Sequence, residues 1–173
     1  MIGPRVNSAV PDHFTDRRPP FLLSTDPTLL DLDVIHGFLK DCYWSPGLAR
    51  SRLAKAIEHS LCFGVYDTAA LRTGGWSGAQ GLPAQVGFAR VVTDRATYAY
   101  LCDVFILEPF RGKGLSKWMM AAVQIQPDLR GLRRFCLMTR DAHGLYARHG
   151  FKPMADPSRY MEILDRESYQ QEV

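Results

Sequence analysis

The residues best placed to do chemistry lie in one stretch, Val104-Phe105-Ile106-Leu107-Glu108-Pro109-Phe110-Arg111-Gly112-Lys113-Gly114-Leu115-Ser116-Lys117-Trp118. An apolar run ends at Pro109 and a glycine-containing turn follows. Leu115, Trp118, Met119, Ala122 and Ile125 then recur at helical spacing, which predicts a helix from Leu115 to Gln126. The first turn of a helix has backbone N–H groups without intrahelical partners, and the macrodipole adds partial positive charge there. Gly112 and Gly114 let the backbone approach an anion closely, while Arg111, Lys113 and Lys117 add full charges. The combination makes a pyrophosphate cradle. Taken alone, the stretch also reads as an exposed strand-to-helix turn that needs glycine for its geometry. The spacing G-x-x-x-x-G-K-[ST] is absent, as is a G-x-G-x-x-G at the start of the chain with a following acidic residue, so two other phosphate loops are excluded.

Arg111-x-x-Gly114-x-Ser116 resembles the [QR]-x-x-G-x-[GA] signature of the GNAT superfamily of acyl-CoA N-acyltransferases, with Ser116 where the family has Gly or Ala. Downstream, Asp141-Ala142-His143-Gly144-Leu145-Tyr146-Ala147-Arg148-His149-Gly150-Phe151 is similar to the family's A-x-x-L-Y-x-x-x-G-F segment. The two motifs stand in the family's order, and the resemblance runs from about Leu61 to Ile163. It implies an α/β fold (α+β, a mixed and mostly antiparallel sheet splayed at its fourth strand, with helices on both faces). It implies acetyl transfer from acetyl-CoA to a primary amine of a small molecule or peptide, by direct attack in a ternary complex. Backbone amides of Gly112, Lys113, Gly114, Leu115, Ser116 and Lys117, beside Arg111, would bind the CoA pyrophosphate. Phe105, Ile106 and Leu107 would flank the pantetheine arm, the backbone of Phe105 and Leu107 pairing with it like an extra strand. Thr139 stands where the family often has Asn, so a polar contact to that arm is lost or remade.

Attack by a neutral amine on a thioester forms an oxyanion and releases a thiolate with a reference pKa near 8.5, below the tyrosine value of about 10. A neutral phenol near the sulfur can donate that proton, which makes Tyr146 a candidate general acid. The plainer alternative packs its ring on the helix face. The backbone N–H of Phe105, where the family's fourth strand parts, is the expected oxyanion donor. Asp103 is the only charged residue from Tyr98 to Leu107 and by strand alternation shares a face with Leu101 and Phe105. Two readings of it stay open: a general base with a raised pKa, or a structural ion pair with Arg90 or Arg134. Glu108 or a water chain is a further choice of base. Alternation turns Cys102 away from Asp103 and Phe105, which argues against a cysteine relay. Tyr43 and Trp44, beside Pro46-Gly47, stand in a region that resembles the family's lid over the acceptor amine, where they either box in the substrate or cap the core.

The elements that must position these groups follow from the pattern. Residues 1–20, with Pro4, Pro11, Pro19 and Pro20, read as a loosely ordered extension, and 21–173 as one domain. Phe21–Ser24 is a short strand, and Asp31 or Asp33 caps a helix through Val34, Ile35, Phe38 and Leu39. A second helix spans Leu48 to Glu58. Strands follow at Leu61–Tyr66, Gln85–Thr93 and Tyr98–Leu107, with a glycine-rich hairpin tip from Thr73 to Pro83. After the Leu115 helix come a strand at Arg134–Met138, a helix at Ala142–His149, and closing strands at Phe151–Pro153 and Tyr160–Ile163.

Composition sets outer bounds. The 173 residues are 46% hydrophobic and 23% charged, as in an ordinary globular domain, and a net charge of +3 is too small to argue for nucleic acid. Cys42, Cys62, Cys102 and Cys136 sit in apolar runs without metal-ligand spacing, so reduced thiols, no metal and a cytoplasmic location are expected. No apolar stretch is long enough to cross a bilayer, and no membrane partner is expected. The expected partner is the amine acceptor, with the chain a monomer or homodimer. A non-catalytic acyl-CoA sensor on the same fold, or another nucleotide-phosphate-binding module, is the rival function.

Overall fold

A computed structural model describes residues 13–71, 81–165 and 167–170. Six strands form one sheet in sequence order: β1 (Thr15–Arg18), β2 (Phe21–Ser24), β3 (Leu61–Leu71), β4 (Pro83–Thr93), β5 (Tyr98–Ile106) and β6 (Arg134–Leu137). All neighbours are antiparallel except β5 and β6, which run parallel. The helices are α1 (Leu32–Leu39), α2 (Arg50–Glu58), α3 (Leu115–Ile125) and α4 (His143–Ala147). The mixed sheet with helices on both faces is the architecture the sequence implied.

Each face has its own core. On one, Phe63, Val65, Ala89, Val91, Ala99 and Leu101 meet Trp118, Met119 and Val123 of α3. On the other, Cys62, Phe88 and Phe105 meet Ile35 and Leu39 of α1 and Leu53 of α2. β5 is therefore buried on both sides, as its unbroken apolar run predicts. Asp31 caps α1 by accepting from the N–H groups of Asp33 and Val34. Its own N–H donates to Gln85 Oε1 at 2.6 Å, which pins that helix start to β4.

Two expectations need correction, and two others fall on residues outside those described. Residues 15–18 are not loose: Asp16 accepts from Trp118 Nε1 at 2.6 Å and Arg18 lies over the same indole, so α3 holds β1 on the sheet edge. Residues 1–12 of the expected extension, and 73–80 of the expected hairpin tip, lie outside the described residues. The closing strands at Phe151–Pro153 and Tyr160–Ile163 do not form; neither segment pairs with the sheet. Phe151 instead packs its ring on Phe135 and Tyr146.

Candidate active site

The site begins where β5 and β6 part. Their pairing covers Tyr98 to Leu101 against Arg134 to Leu137 and then stops. From Cys102 to Ile106, β5 keeps β4 on one side and has no strand on the other. A bulge lies in the same place: the register slips between Phe88 and Arg90, and Asp103 adopts a left-handed φ of 55°. Such a bulge puts two successive side chains on one side of the sheet.

The bulge corrects the expected facing. Leu101 belongs to the α3-side core, whereas Phe105 belongs to the α1-side core, stacked on Phe38 at 4.0 Å. Asp103 lies on the Phe105 side but not on Leu101's. Cys102 joins Asp103 there rather than turning away, and donates to the Arg90 carbonyl.

Backbone direction corrects a second expectation. The Leu107 N–H donates to Val86 on β4, so alternation along the strand also turns Phe105 toward its β4 partner Phe88. Phe105 therefore presents no N–H to the gap, and Leu107 none either. The groups turned to the open edge are those of Val104 and Ile106. Consistent with this, the Ile106 carbonyl accepts from Arg111 Nε at 3.1 Å, from outside the sheet.

The glycine turn behaves as its sequence demands. Gly112 and Gly114 have φ of 77° and 76°, values that disfavour any side chain, and open space lies where a Cβ would stand. Gly114 caps α3 without a side-chain bond, and no protein group accepts from the N–H of Leu115, Ser116 or Lys117 among the described residues. Arg111, Lys113 and Lys117 are exposed beside it. Lys113, however, rests its ammonium over the rings of Phe110 and Phe21.

A cleft of about 360 Å³ joins these parts. Its walls include Val104, Phe105 and Ile106 of β5, Arg111, Gly112, Gly114, Leu115 and Ser116 of the turn, and Tyr146 of α4. Phe38, Trp44, Phe110, Asp141, Ala142 and Leu145 complete it, of which only Trp44 was a candidate site residue in the sequence. A larger depression of about 800 Å³ lies elsewhere, between Phe14, Thr25, Ile57, Ser60 and Asp128. It has neither the glycine turn nor the open strand edge, so the smaller cleft is the chemical site.

Tyr146 is 9% exposed and packs edge-on against Phe151, so its ring is core material. Tyr146 lines the cleft, and its hydroxyl makes no hydrogen bond among the described residues. Burial first, then the nearby Tyr43 and Asp141, push its pKa up to about 12. The phenol is neutral at physiological pH. Asp103 forms the ion pair that was one of its two readings: Arg90 Nε donates to Oδ2 at 2.7 Å, with both side chains largely buried. Burial works to lower the Arg90 pKa, but Asp103, with Cys102 and Cys62, raises it, and the net shift is upward. Asp103 is not among the residues lining the cleft. Thr139 is also committed, its hydroxyl accepting from the Ala142 N–H at the start of α4.

The expected lid loop does reach the site. Trp44 lines the cleft and Tyr43 packs edge-on against it at 4.9 Å. The Tyr43 ring lies 3.7 Å beneath the Arg140 guanidinium, and its hydroxyl accepts from the Arg140 N–H. The loop after α1 thus bridges to the loop after β6 where the strands have separated. No cluster of metal-ligating side chains occurs among the described residues, and no helix there is long and apolar enough to cross a membrane.

A strand parted from its neighbour, a glycine turn opening a helix, and a cleft joining them to a buried phenol are the site that this mixed α/β fold builds. Comparison with known proteins gives its family. Residues 79–153 match the family model of the acetyltransferase (GNAT) domain. A Gibberella zeae protein named as a "putative acetyltransferase" is 33% identical over 160 residues, covering 83% of this chain and 84% of that one. The crystal structure of a "putative acetyltransferase belonging to the gnat family" from Xanthomonas campestris pv. campestris superposes with a TM-score of 0.77 at 45% identity, over 88% of this chain and 99% of that one. A Mycobacterium tuberculosis protein crystallised in complex with CoA and NLQ shares the fold at a TM-score of 0.50 and 20% identity, over 72% and 68% of the two chains. The chain belongs to the GNAT acetyltransferase family.

Proposed function

We propose that the protein transfers the acetyl group of acetyl-CoA directly to a primary amine of a small molecule or peptide. The observation that carries this reading is the unpaired β5 edge at Val104 and Ile106, which faces the same cleft as the bare start of α3 and the Tyr146 phenol. The residues fit the donor at three points. Unpaired N–H groups of Leu115 to Lys117, with Arg111 and Lys117 nearby, suit its diphosphate. The free N–H of Ile106 suits an amide-bearing pantetheine arm, and the apolar walls of Phe105, Phe110 and Leu145 suit its methylenes. When bound, acetyl-CoA supplies an activated acyl group on a good leaving thiol.

The backbone N–H of Val104, at the bulge, takes the oxyanion-donor role that the sequence reading gave to Phe105. Such a donor is worth roughly 3–4 kcal/mol where it acts on developing charge. Tyr146, kept neutral by burial, gives its proton to the departing sulfur and is the general acid. Asp103 is primarily a brace that fixes the bulge through Arg90, and water at the cleft mouth takes the proton of the incoming ammonium. Trp44 and Tyr43 close the side from which the amine enters. The chain acts in the cytoplasm, where acetyl-CoA and reduced thiols are both available. The test is an acceptor screen with purified protein and acetyl-CoA, read by free-thiol release. Acceptor-dependent release that Tyr146→Phe abolishes supports the reading. CoA binding without release for any amine, peptide or polyamine would favour an acyl-CoA sensor.

A further inference from the structure

The larger depression, where the end of α2, the start of β3 and the end of α3 meet, has a wall group that the fold does not use. Gln126 follows the last residue of α3 and is 8% exposed. Its main chain is bonded on both sides. The N–H donates to the Ala122 carbonyl at 3.2 Å, and the carbonyl accepts from the Leu129 N–H at 3.0 Å. Its side chain is not. Oε1 is buried without a hydrogen-bond partner, and Nε2 makes no hydrogen bond among the described residues either. A buried carboxamide bonded to nothing is costly, and folded proteins keep few such groups.

The other buried wall residues spend their polar atoms inside the fold. Thr25 Oγ1 accepts from the Phe14 N–H at 2.8 Å, and the Cys62 thiol points to the Ile57 carbonyl at 3.8 Å. At the half-exposed wall, Ser60 Oγ donates to the Ala56 carbonyl at 2.6 Å, and Asp128 pairs with Arg95 at 2.9 Å. Gln126 is what remains for a ligand.

Shape and charge narrow the class. The depression holds about 800 Å³, inside the range of small-molecule sites, and Phe14, Leu30, Ile57 and Leu61 give it apolar walls. Glu58, also in the wall, is exposed and in no ion pair among the described residues. A carboxylate without a counter-charge repels anions, so phosphates and carboxylates fit poorly, CoA among them. A carboxamide is matched by an edge with an N–H donor beside a carbonyl acceptor. Primary amides and lactams carry that edge without charge.

We propose that this depression is a second ligand site, taking a small uncharged molecule with an apolar ring and an amide or lactam edge paired to the Gln126 carboxamide. The ligand N–H donates to Oε1, and Nε2 donates to the ligand carbonyl. The site does not depend on the acetyl-transfer reading, because the depression and the cleft share no lining residue.

The test is a heteronuclear NMR titration of the full chain with benzamide and with pyridone. N,N-dimethylbenzamide, which lacks the N–H, is the control. Both probes should give saturable shifts at the Gln126 side-chain amide and at Ile57 and Leu61, with Kd of about 1 mM or tighter. The control should bind at least about tenfold more weakly. Gln126→Leu keeps the bulk and removes the edge, and should weaken both probes at least about tenfold. The native carboxamide holds no other protein group, so the Tm of this variant should equal or exceed that of wild type. Leu30→Trp fills the depression with Gln126 in place, and should abolish probe binding while CoA affinity is unchanged. No saturable shift with either probe up to about 10 mM would overturn the proposal. Equal binding of the control, or binding that survives Gln126→Leu, would do the same. A Tm several degrees lower in Gln126→Leu would also overturn it, by making the carboxamide a structural group satisfied by buried water.

Discussion

Arg111 donates its Nε–H to the Ile106 carbonyl at 3.1 Å, so the first residue of the glycine turn holds the end of the parted strand. The two halves of the proposed donor site, strand edge and helix start, are thereby fixed to one another. Arg111→Ala should weaken CoA binding about tenfold or more, since hydrogen bonds to charged groups contribute roughly 1.5–3 kcal/mol. Arg111→Lys should recover little, because lysine lacks the planar fork. Thermal-shift titration with CoA reads both variants. Equal affinity in wild type and Arg111→Ala would remove Arg111 from the site.

Tyr146 sits among apolar side chains and lines the cleft. Tyr146→Phe keeps the ring packing and removes only the proton. The expected result is a fall in kcat of about a hundredfold or more, the usual range for a lost general acid, with CoA affinity within twofold of wild type. Steady-state kinetics with the best amine found in the screen measures it. Unchanged kcat would make Tyr146 a core residue and nothing more.

Asp103→Asn removes the carboxylate from a largely buried ion pair and leaves Arg90 without its counter-charge. Breaking such a pair costs roughly 3–5 kcal/mol, and partial exposure of Arg90 places this one toward the lower end. Urea unfolding should show that loss. If Asp103 is a brace, the acidic limb of the kcat/KM profile stays at the same pH in the variant. Disappearance of that limb would identify Asp103 as the base instead.

Stability should fall on the alkaline side. Burial pushes the thiols of Cys62 and Cys102 from 9.0 up to about 12, and the phenols of Tyr100 and Tyr146 from 10.0 up to about 12. The folded chain therefore keeps protons that the unfolded chain releases between about pH 9 and 12. Fewer protons on the unfolded state means that stability drops as pH rises through that window. It is fully present below pH 9. Unfolding midpoints at pH 7.5, 9 and 10.5 should decline in that order, and less steeply in Cys62→Ala.

Much of this was legible in the sequence, for physical reasons that differ from residue to residue. Gly112 and Gly114 declared themselves because few other residues accept their φ values. The apolar run of β5 declared its double burial, and Asp31 its cap. The bulge did not show, because a left-handed Asp103 leaves no mark on an alternating pattern. That single extra residue moved Cys102 to the face of Asp103 and separated Leu101 from Phe105. Which backbone groups face the gap is set by hydrogen-bond phase, which side-chain identity does not encode; hence Val104 and Ile106 in place of Phe105 and Leu107. The ordering of β1 depends on Asp16 reaching Trp118, more than a hundred residues away. The segment Tyr160–Ile163 has the composition of a strand, yet pairs with no strand among the described residues, because composition does not supply an edge to join.

The central claim is that the open β5 edge and the bare start of α3 together bind the acyl donor. Hydrogen–deuterium exchange with and without acetyl-CoA tests it most directly. The account predicts new protection at the amides of Val104, Ile106 and Leu115 to Lys117, with none at the depression between Phe14 and Asp128. Saturating acetyl-CoA that leaves those five amides exchanging at their unliganded rates would contradict it.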